Sequence, residues 1–217
     1  MLLSELLNGL NILSEYEDRE IADVTDKTHK NSEGCAFVCV IGARFDGHSF
    51  AETAVKEGAK AVIVSRDMGI KEQIIVENTR EAYAVMCKNL CGAAVDKLTV
   101  IGITGTNGKT TTAFVVKDIL AEMGIKSGLI GTVKNMVGDK EFSTELTTPD
   151  PYDMHALFRM MVDDGIEYCV METSSQAFHQ MRLAGIHFKT GVFTNLTQDH
   201  LDYHGTIEEY KRCKKML

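Results

Sequence analysis

Thr99-Val100-Ile101-Gly102-Ile103-Thr104-Gly105-Thr106-Asn107-Gly108-Lys109-Thr110-Thr111 is the stretch on which the reading of this chain turns. Its first six residues form a short apolar run of buried-strand character. From Thr110 to Met123 the pattern is helical and stops at Gly124. A strand that passes through glycines straight into a helix lets successive backbone N–H groups converge at the helix's positive end, the geometry of a phosphate-binding loop. Lys109 then reaches the β- and γ-phosphates, and the Thr110 hydroxyl is placed to ligate Mg²⁺. Ile103 stands where the strict G-x4-G-K-[ST] pattern has its first glycine. The strand–loop–helix context therefore carries the expectation that Gly105, Thr106, Asn107, Gly108, Lys109, Thr110 and Thr111 bind a nucleoside triphosphate.

On either side of this loop the chain alternates strand-like and helix-like stretches. Upstream, strands are expected at Ala36–Ile41, Ala61–Val64 and Ile74–Val76. Helices are expected from a Ser49 cap through Glu57, and from Thr79 to Leu90. Downstream follow strands at Ser127–Ile130, Tyr168–Met171 and Gly191–Asn195, and helices at Asp153–Asp164 and from Thr206 onward. Strand, helix and strand within some thirty residues make parallel α/β units. The pattern restarts near Leu98, which divides the chain into domains at 1–97 and 98–217. The last helix shows no stop signal, so a truncated second domain is expected.

Composition sets outer limits. The 217 residues carry 23 Lys and Arg against 31 Asp and Glu, a formal charge of −8, which argues against a duplex nucleic-acid binder with its basic stripe. No apolar run approaches the ~20 residues of a membrane span, and the start MLLSELLNGL lacks a basic n-region. A cytoplasmic protein without membrane partners is expected. Cys35, Cys39, Cys87, Cys91, Cys169 and Cys213 contain no C-x-x-C pair and read as reduced, mostly buried thiols.

Several motifs in this order and spacing, spread over the whole chain, make it resemble the Mur ligase family. They are FDGHSF (Phe45–Phe50), GAKAVIV (Gly58–Val64), TGTNGKTT (Thr104–Thr111), TTPD (Thr147–Asp150), METSSQAFHQMR (Met171–Arg182), FTNLTQDHLDYHGT (Phe193–Thr206) and Tyr210-x-x-x-Lys214. Within the family they look like the branch that adds a diamino acid, meso-diaminopimelate or L-lysine, to UDP-MurNAc-L-Ala-D-Glu. The resemblance implies a small N-terminal α/β UDP-binding domain followed by the start of a P-loop-type, mostly parallel-sheet ATPase domain. It also implies a monomer whose partners are small molecules: ATP, the UDP-sugar dipeptide and the diamino acid. The third domain, which would select the diamino acid, lies outside this chain, so no tripeptide product is expected from it alone.

Roles carry over position by position. Glu172 follows an apolar strand, where an acidic residue can hold Mg²⁺ against phosphates. The resemblance makes His200 a ligand of a second Mg²⁺, and Lys214 the lysine that captures CO₂ as a metal-binding carbamate. Lys109 and Lys214 are thus the catalytic candidates, and Thr110, Glu172, His200 and Lys214 the metal set. Thr28, His48, Thr147, Thr148, Ser174, Gln180 and Arg182 are implied contacts of the nucleotide-sugar substrate. Where the family reads Asp-Ser-Arg this chain has Lys27-Thr28-His29, and Gln176 stands in place of a histidine. His204 and, as the alternative for His48, a turn-holding role read as structural.

Lys214 lies in the final turn of the chain, where helices fray, so it is expected to be exposed, to keep an ordinary lysine pKa and to stay uncarbamylated. A second reading of the whole chain is a non-catalytic module that holds nucleotide or UDP-sugar without turnover. A third, another P-loop enzyme such as a kinase, leaves TTPD and DHLDYH unexplained.

Overall fold

A computed structural model describes residues 1–27, 33–42 and 45–217, which form two compact units, Met1–Gly92 and Ala93–Leu217. The second unit starts a few residues before the expected restart at Leu98. A short 3₁₀ turn spans Ala94–Lys97, and the side chains of Ala94 and Val95 join that unit's core.

The first unit contains α1 (Leu3–Leu6), β1 (Val24–Thr25), β2 (Ala36–Val38), α2 (Ala51–Lys56), β3 (Ala61–Val64), β4 (Gln73–Ile75) and α3 (Thr79–Leu90). The four strands form one parallel sheet in the order β1-β2-β3-β4. β2 and β3 are buried at every position, as parallel strands covered by helices must be. Phe37, Cys39, Ala51, Ala54, Val62 and Val64 make the core beneath α2. Asn78 caps α3 by accepting from the N–H groups of Arg80 and Glu81.

Two expectations are corrected here. β2 stops at Val38, because Val40 turns back onto the Val38 carbonyl. The next helix is capped by Asp46 and not Ser49: its carboxylate accepts from His48 N, and a 3₁₀ turn over Gly47–Phe50 precedes α2.

The second unit contains β5 (Thr99–Thr104), α4 (Lys109–Glu122), β6 (Ser127–Ile130), β7 (Asn135–Val137), β8 (Lys140–Phe142), α5 (Pro151–Asp163), β9 (Tyr168–Glu172), α6 (Ser175–His179), β10 (Phe188–Phe193), α7 (Leu201–His204) and α8 (Ile207–Lys214). Its sheet runs β10-β5-β9-β6-β7-β8. The first four strands are parallel, and β7 and β8 close the edge as an antiparallel hairpin. One sheet face packs Val100, Ile130, Cys169 and Met171 against Met154, Phe158 and Met161 of α5. The other packs Ile103, Leu129 and Val170 against Ala113 and Leu120 of α4. The carboxyl ends of β5, β9 and β10 therefore converge, where parallel α/β sheets hold ligands.

The hairpin has no counterpart in the sequence reading, since three-residue strands, the second mostly exposed, show no apolar alternation. α5 begins at Pro151, two residues ahead of Asp153, because proline fits the first helical position. β10 begins at Phe188, earlier than expected, and α8 ends at Lys214. Among the described residues no helix is long and apolar enough to cross a membrane. The six cysteines are free thiols, all buried except the half-buried Cys91; burial pushes Cys39 up to about 12.

Candidate active site

The phosphate loop joins the last residue of β5 to the first of α4. At Gly105 φ is +143°, and a Cβ would run into Thr194 Oγ1, so only glycine fits. The segment after β10 holds the loop from the side. Asn195 O accepts from Thr106 N at 2.9 Å, and Asn195 Oδ1 from Asn107 N at 3.0 Å. Asn107 O in turn accepts from Thr194 Oγ1 at 2.7 Å and Asn195 Nδ2 at 3.0 Å. Thr106 Oγ1 accepts from Thr197 N at 3.0 Å and from the Tyr210 hydroxyl at 3.1 Å, and donates to Thr197 O at 3.1 Å. The loop is thus held by the segment that follows β10 and by α8.

Two lysines meet there. Lys109 Nζ donates to Gly105 O and Thr106 O, each at 2.9 Å, and Lys214 Nζ donates to Gly105 O at 2.7 Å. This overturns the expectation of a frayed, exposed Lys214. Its residue is 2 % exposed, because α8 turns Tyr210, Cys213 and Lys214 inward, and Nζ sits 4.5 Å from the Tyr210 ring centre. Burial and then the nearby Lys109 charge bring the Lys214 amine down to about 8. Burial lowers Lys109 as well, against the pull of Glu172 and Asp199.

Glu172, the last residue of β9, is buried. Its Oε2 accepts from Thr110 Oγ1 at 2.8 Å and Thr132 Oγ1 at 3.1 Å, and its Oε1 from Thr132 N at 2.9 Å. A hydroxyl and a carboxylate side by side at the loop are oxygen donors of the kind Mg²⁺ prefers, and that ion ordinarily takes few protein ligands beside phosphates and water. Among the described residues no group of three His, Cys, Asp or Glu side chains forms a closed metal cage.

A cleft of about 320 Å³ opens beside the loop, and its lining includes Lys109, Thr147, Ser174, Arg182, His200 and Lys214. His200 adopts a left-handed backbone, φ +51°, ahead of α7, an uncommon conformation of the sort that persists where surroundings enforce it. Thr148 and Gln180 also line the cleft. Thr148 is buried and ties two segments together: it donates to Glu172 O at 3.0 Å and accepts from Ser174 N at 3.0 Å. Thr147 Oγ1 meets Thr132 Oγ1 at 3.0 Å, and Ser174 caps α6 through Ala177 N. Arg182 donates to Thr148 O at 2.6 Å and to Gln180 Oε1 at 2.9 and 2.7 Å.

The structure thus gathers Lys109, Thr147, Thr148, Ser174, Gln180, Arg182, His200 and Lys214 around one cleft. Thr110 and Glu172 pair at the loop. Thr28 lies outside the described residues. His48 belongs to the first unit. Its buried ring places Nδ1 2.6 Å from Asp46 Oδ1, and Nε2 accepts from Ser65 N at 3.0 Å. His204 is buried with Nε2 on Ser175 Oγ at 2.9 Å. Sequence reasoning missed Thr132, and it noted Asn195, Tyr203 and Tyr210 only as parts of motifs; no spacing rule marks a hydroxyl that will point at a loop.

Known proteins match this chain along its whole length. Residues 103–217 match the Mur ligase middle domain, and residues 20–94 match the Mur ligase family catalytic domain. The chain is 48 % identical over 222 residues to the UDP-N-acetylmuramoyl-L-alanyl-D-glutamate--2,6-diaminopimelate ligase of Clostridium perfringens, and 43 % identical over 227 residues to that of Clostridium tetani. Both alignments cover 100 % of this chain but 46 % of the relative, so the chain spans about half the length of the curated relatives it matches. A solved structure of a ligase with that name superposes over 99 % of this chain and 44 % of its own, with a TM-score of 0.82 at 26 % identity. The MurF ligase of Thermotoga maritima in complex with ADP superposes over 88 % of this chain and 42 % of its own, with a TM-score of 0.57 at 26 % identity.

Proposed function

The chain belongs to the Mur ligase family, and from that premise we propose that it carries the nucleotide-binding part, and much of the acceptor-binding part, of a ligase that joins 2,6-diaminopimelate to UDP-MurNAc-L-Ala-D-Glu. The observation that carries this reading is the convergence of Lys109 and Lys214 on Gly105 O, beside the Thr110–Glu172 pair and at the mouth of the cleft.

In the reaction the γ-phosphoryl group of ATP passes to the D-glutamate carboxylate, giving ADP and an acyl phosphate. The diaminopimelate amine then attacks the acyl carbon, forms the amide, releases phosphate and loses a proton. Thr106 N and Asn107 N are taken by Asn195, so the N–H groups from Gly108 onward, at the N-terminus of α4, receive the phosphates, and Lys109 exchanges its two loop carbonyls for phosphate oxygens as charge develops there. The guanidinium of Arg182 suits an acceptor carboxylate or phosphate, and Thr147 and Ser174 offer hydroxyls beside it. This is catalysis by positioning and electrostatics.

Thr110 and Glu172 would hold Mg²⁺, with His200 and carbamylated Lys214, which line the cleft, as a second set; the ion would supply positive charge against the phosphates. Lys214 has the chemistry for that modification. A buried amine titrating near 8 is neutral in roughly a tenth to a quarter of molecules at about pH 7–7.5, far more than an ordinary lysine, and its lone pair can add to CO₂ with loss of one proton. We place the protein in the cytoplasm, where its nucleotide-linked substrates reside, acting as a monomer.

The test is acceptor-dependent ADP release by this chain with Mg·ATP and bicarbonate, followed by mass spectrometry of Lys214. ADP release that requires the acceptor supports the reading. ATP binding without acceptor-dependent release would favour a non-catalytic binding module instead.

A further inference from the structure

Gln180 can present either end of its amide to a neighbour, and its partners decide which. The Tyr203 hydroxyl, on α7, lies 2.9 Å from Gln180 Nε2 and 3.0 Å from His179 Nδ1. The amide nitrogen carries only hydrogens, so the phenolic oxygen accepts from it, while the His179 tautomer sets which partner donates between Nδ1 and the phenol. Gln180 Oε1 then faces Arg182 and takes both Nε and Nη2, while Nη1 goes to Thr148 O. Turning the amide round would set its NH₂ against the guanidinium, donor against donor.

We propose that Tyr203 is a positioning residue for the acceptor: by anchoring the Gln180 amide it helps the Thr148 carbonyl and the Asp150 carboxylate, 3.5 Å from Nε, to hold the Arg182 guanidinium in one orientation toward an anionic group in the cleft. This rests on the reading of the cleft as an acceptor site. Gln180 and Arg182 line that cleft whereas Tyr203 does not, so Tyr203 acts through Gln180. The ring itself packs edge-on against His179 and His204, at centroid separations of 5.4 and 4.8 Å, and that packing needs no hydroxyl. Tyr203 is 41 % exposed, so removing its hydroxyl leaves no buried gap.

Tyr203→Phe in the full chain separates these roles. Calorimetric titration with UDP-MurNAc-L-Ala-D-Glu and, separately, with Mg·ATP is combined with NMR of the Arg182 Nε–H. The acceptor Kd should rise roughly three- to tenfold, the worth of one hydrogen bond. The ATP Kd and Tm should stay unchanged, and the Nε–H signal should exchange faster with water. An unchanged acceptor Kd, or equal weakening for ATP and acceptor, would overturn the proposal. If the wild type binds no acceptor, the acceptor reading itself fails. The NMR arm then decides alone: an Nε–H signal identical in both proteins sinks the positioning role, and a faster-exchanging one sustains it.

Discussion

Lys109 and Lys214 donate to the same oxygen atom, the Gly105 carbonyl, at 2.9 and 2.7 Å. Burial, and then the Lys109 charge beside it, disfavours the charged form of Lys214, and burial lowers Lys109 as well. Sequence distance hides this pairing. One lysine begins α4 and the other ends α8, and only the parallel packing of β5 and β10 brings them together.

Removing the first lysine should separate ligand binding from folding. Lys109→Ala deletes a group bonded only to loop carbonyls, and Asn195, Thr194 and Thr197 still hold the loop. Mg·ATP affinity should fall by at least about tenfold, given ~1.5–3 kcal/mol for a charge-assisted hydrogen bond. Circular dichroism should stay unchanged. Equal ATP affinities in the two proteins would remove Lys109 from the phosphate site.

The depressed Lys214 pKa has a consequence for stability. The unfolded lysine holds its proton up to about 10.5, whereas the folded one releases it near 8. Between those values the unfolded state binds more protons, so stability rises with pH through this window and the penalty is fully present below pH 8. Denaturant unfolding at pH 8, 9 and 10 should show this rise, on the order of 1–3 kcal/mol, in the wild type relative to Lys214→Met. Parallel curves for the two proteins would mean that Lys214 is not perturbed.

How much of this was legible in the sequence depended on locality. The phosphate loop lies within one strand–turn–helix stretch, so Gly105 to Thr111 could be read directly. Glu172 could be placed because it ends an apolar strand. The burial of Lys214 could not, because it depends on Tyr210 and Cys213 turning the same helix face toward a loop more than a hundred positions earlier in the chain. The Asp46 cap was hidden for the opposite reason: Ser49 is an equally good capping residue, and only the 3₁₀ turn over Gly47–Phe50 decides between them. The β7–β8 hairpin is too short and too exposed for any period to show.

Gly131 guards the Glu172 carboxylate. A Cβ at position 131 would press on Glu172 Oε1 and come within 3.1 Å of its Cδ. Gly131→Ala should therefore push the carboxylate off Thr132 N and Thr110, at a cost of ~1–3 kcal/mol typical of overpacking. Calorimetric melting checks the stability, and Mg²⁺ dependence of ATP binding checks the site. A variant with wild-type Tm and wild-type Mg²⁺ dependence would show that the carboxylate can move freely.

Tyr210 links the helix that carries Lys214 to the loop between β5 and α4. Its hydroxyl is one of two donors to Thr106 Oγ1, and its ring lies under Lys214 Nζ. The two contacts separate by substitution. Tyr210→Phe keeps the ring, and Thr106 keeps its bonds to Thr197, so the cost should be ~0.5–1.5 kcal/mol, one neutral hydrogen bond. Tyr210→Leu also removes the ring from a fully buried position and should cost ~3–5 kcal/mol, as deletion of a large core side chain does. Hydrogen exchange localises the effect. In Tyr210→Phe the Thr106 amide, which donates to Asn195 O, should exchange faster, while amides of β3 in the first unit stay unchanged. Exchange at Thr106 that matches the wild type would mean that the β10 segment alone fixes the loop, and that α8 contributes only the lysine.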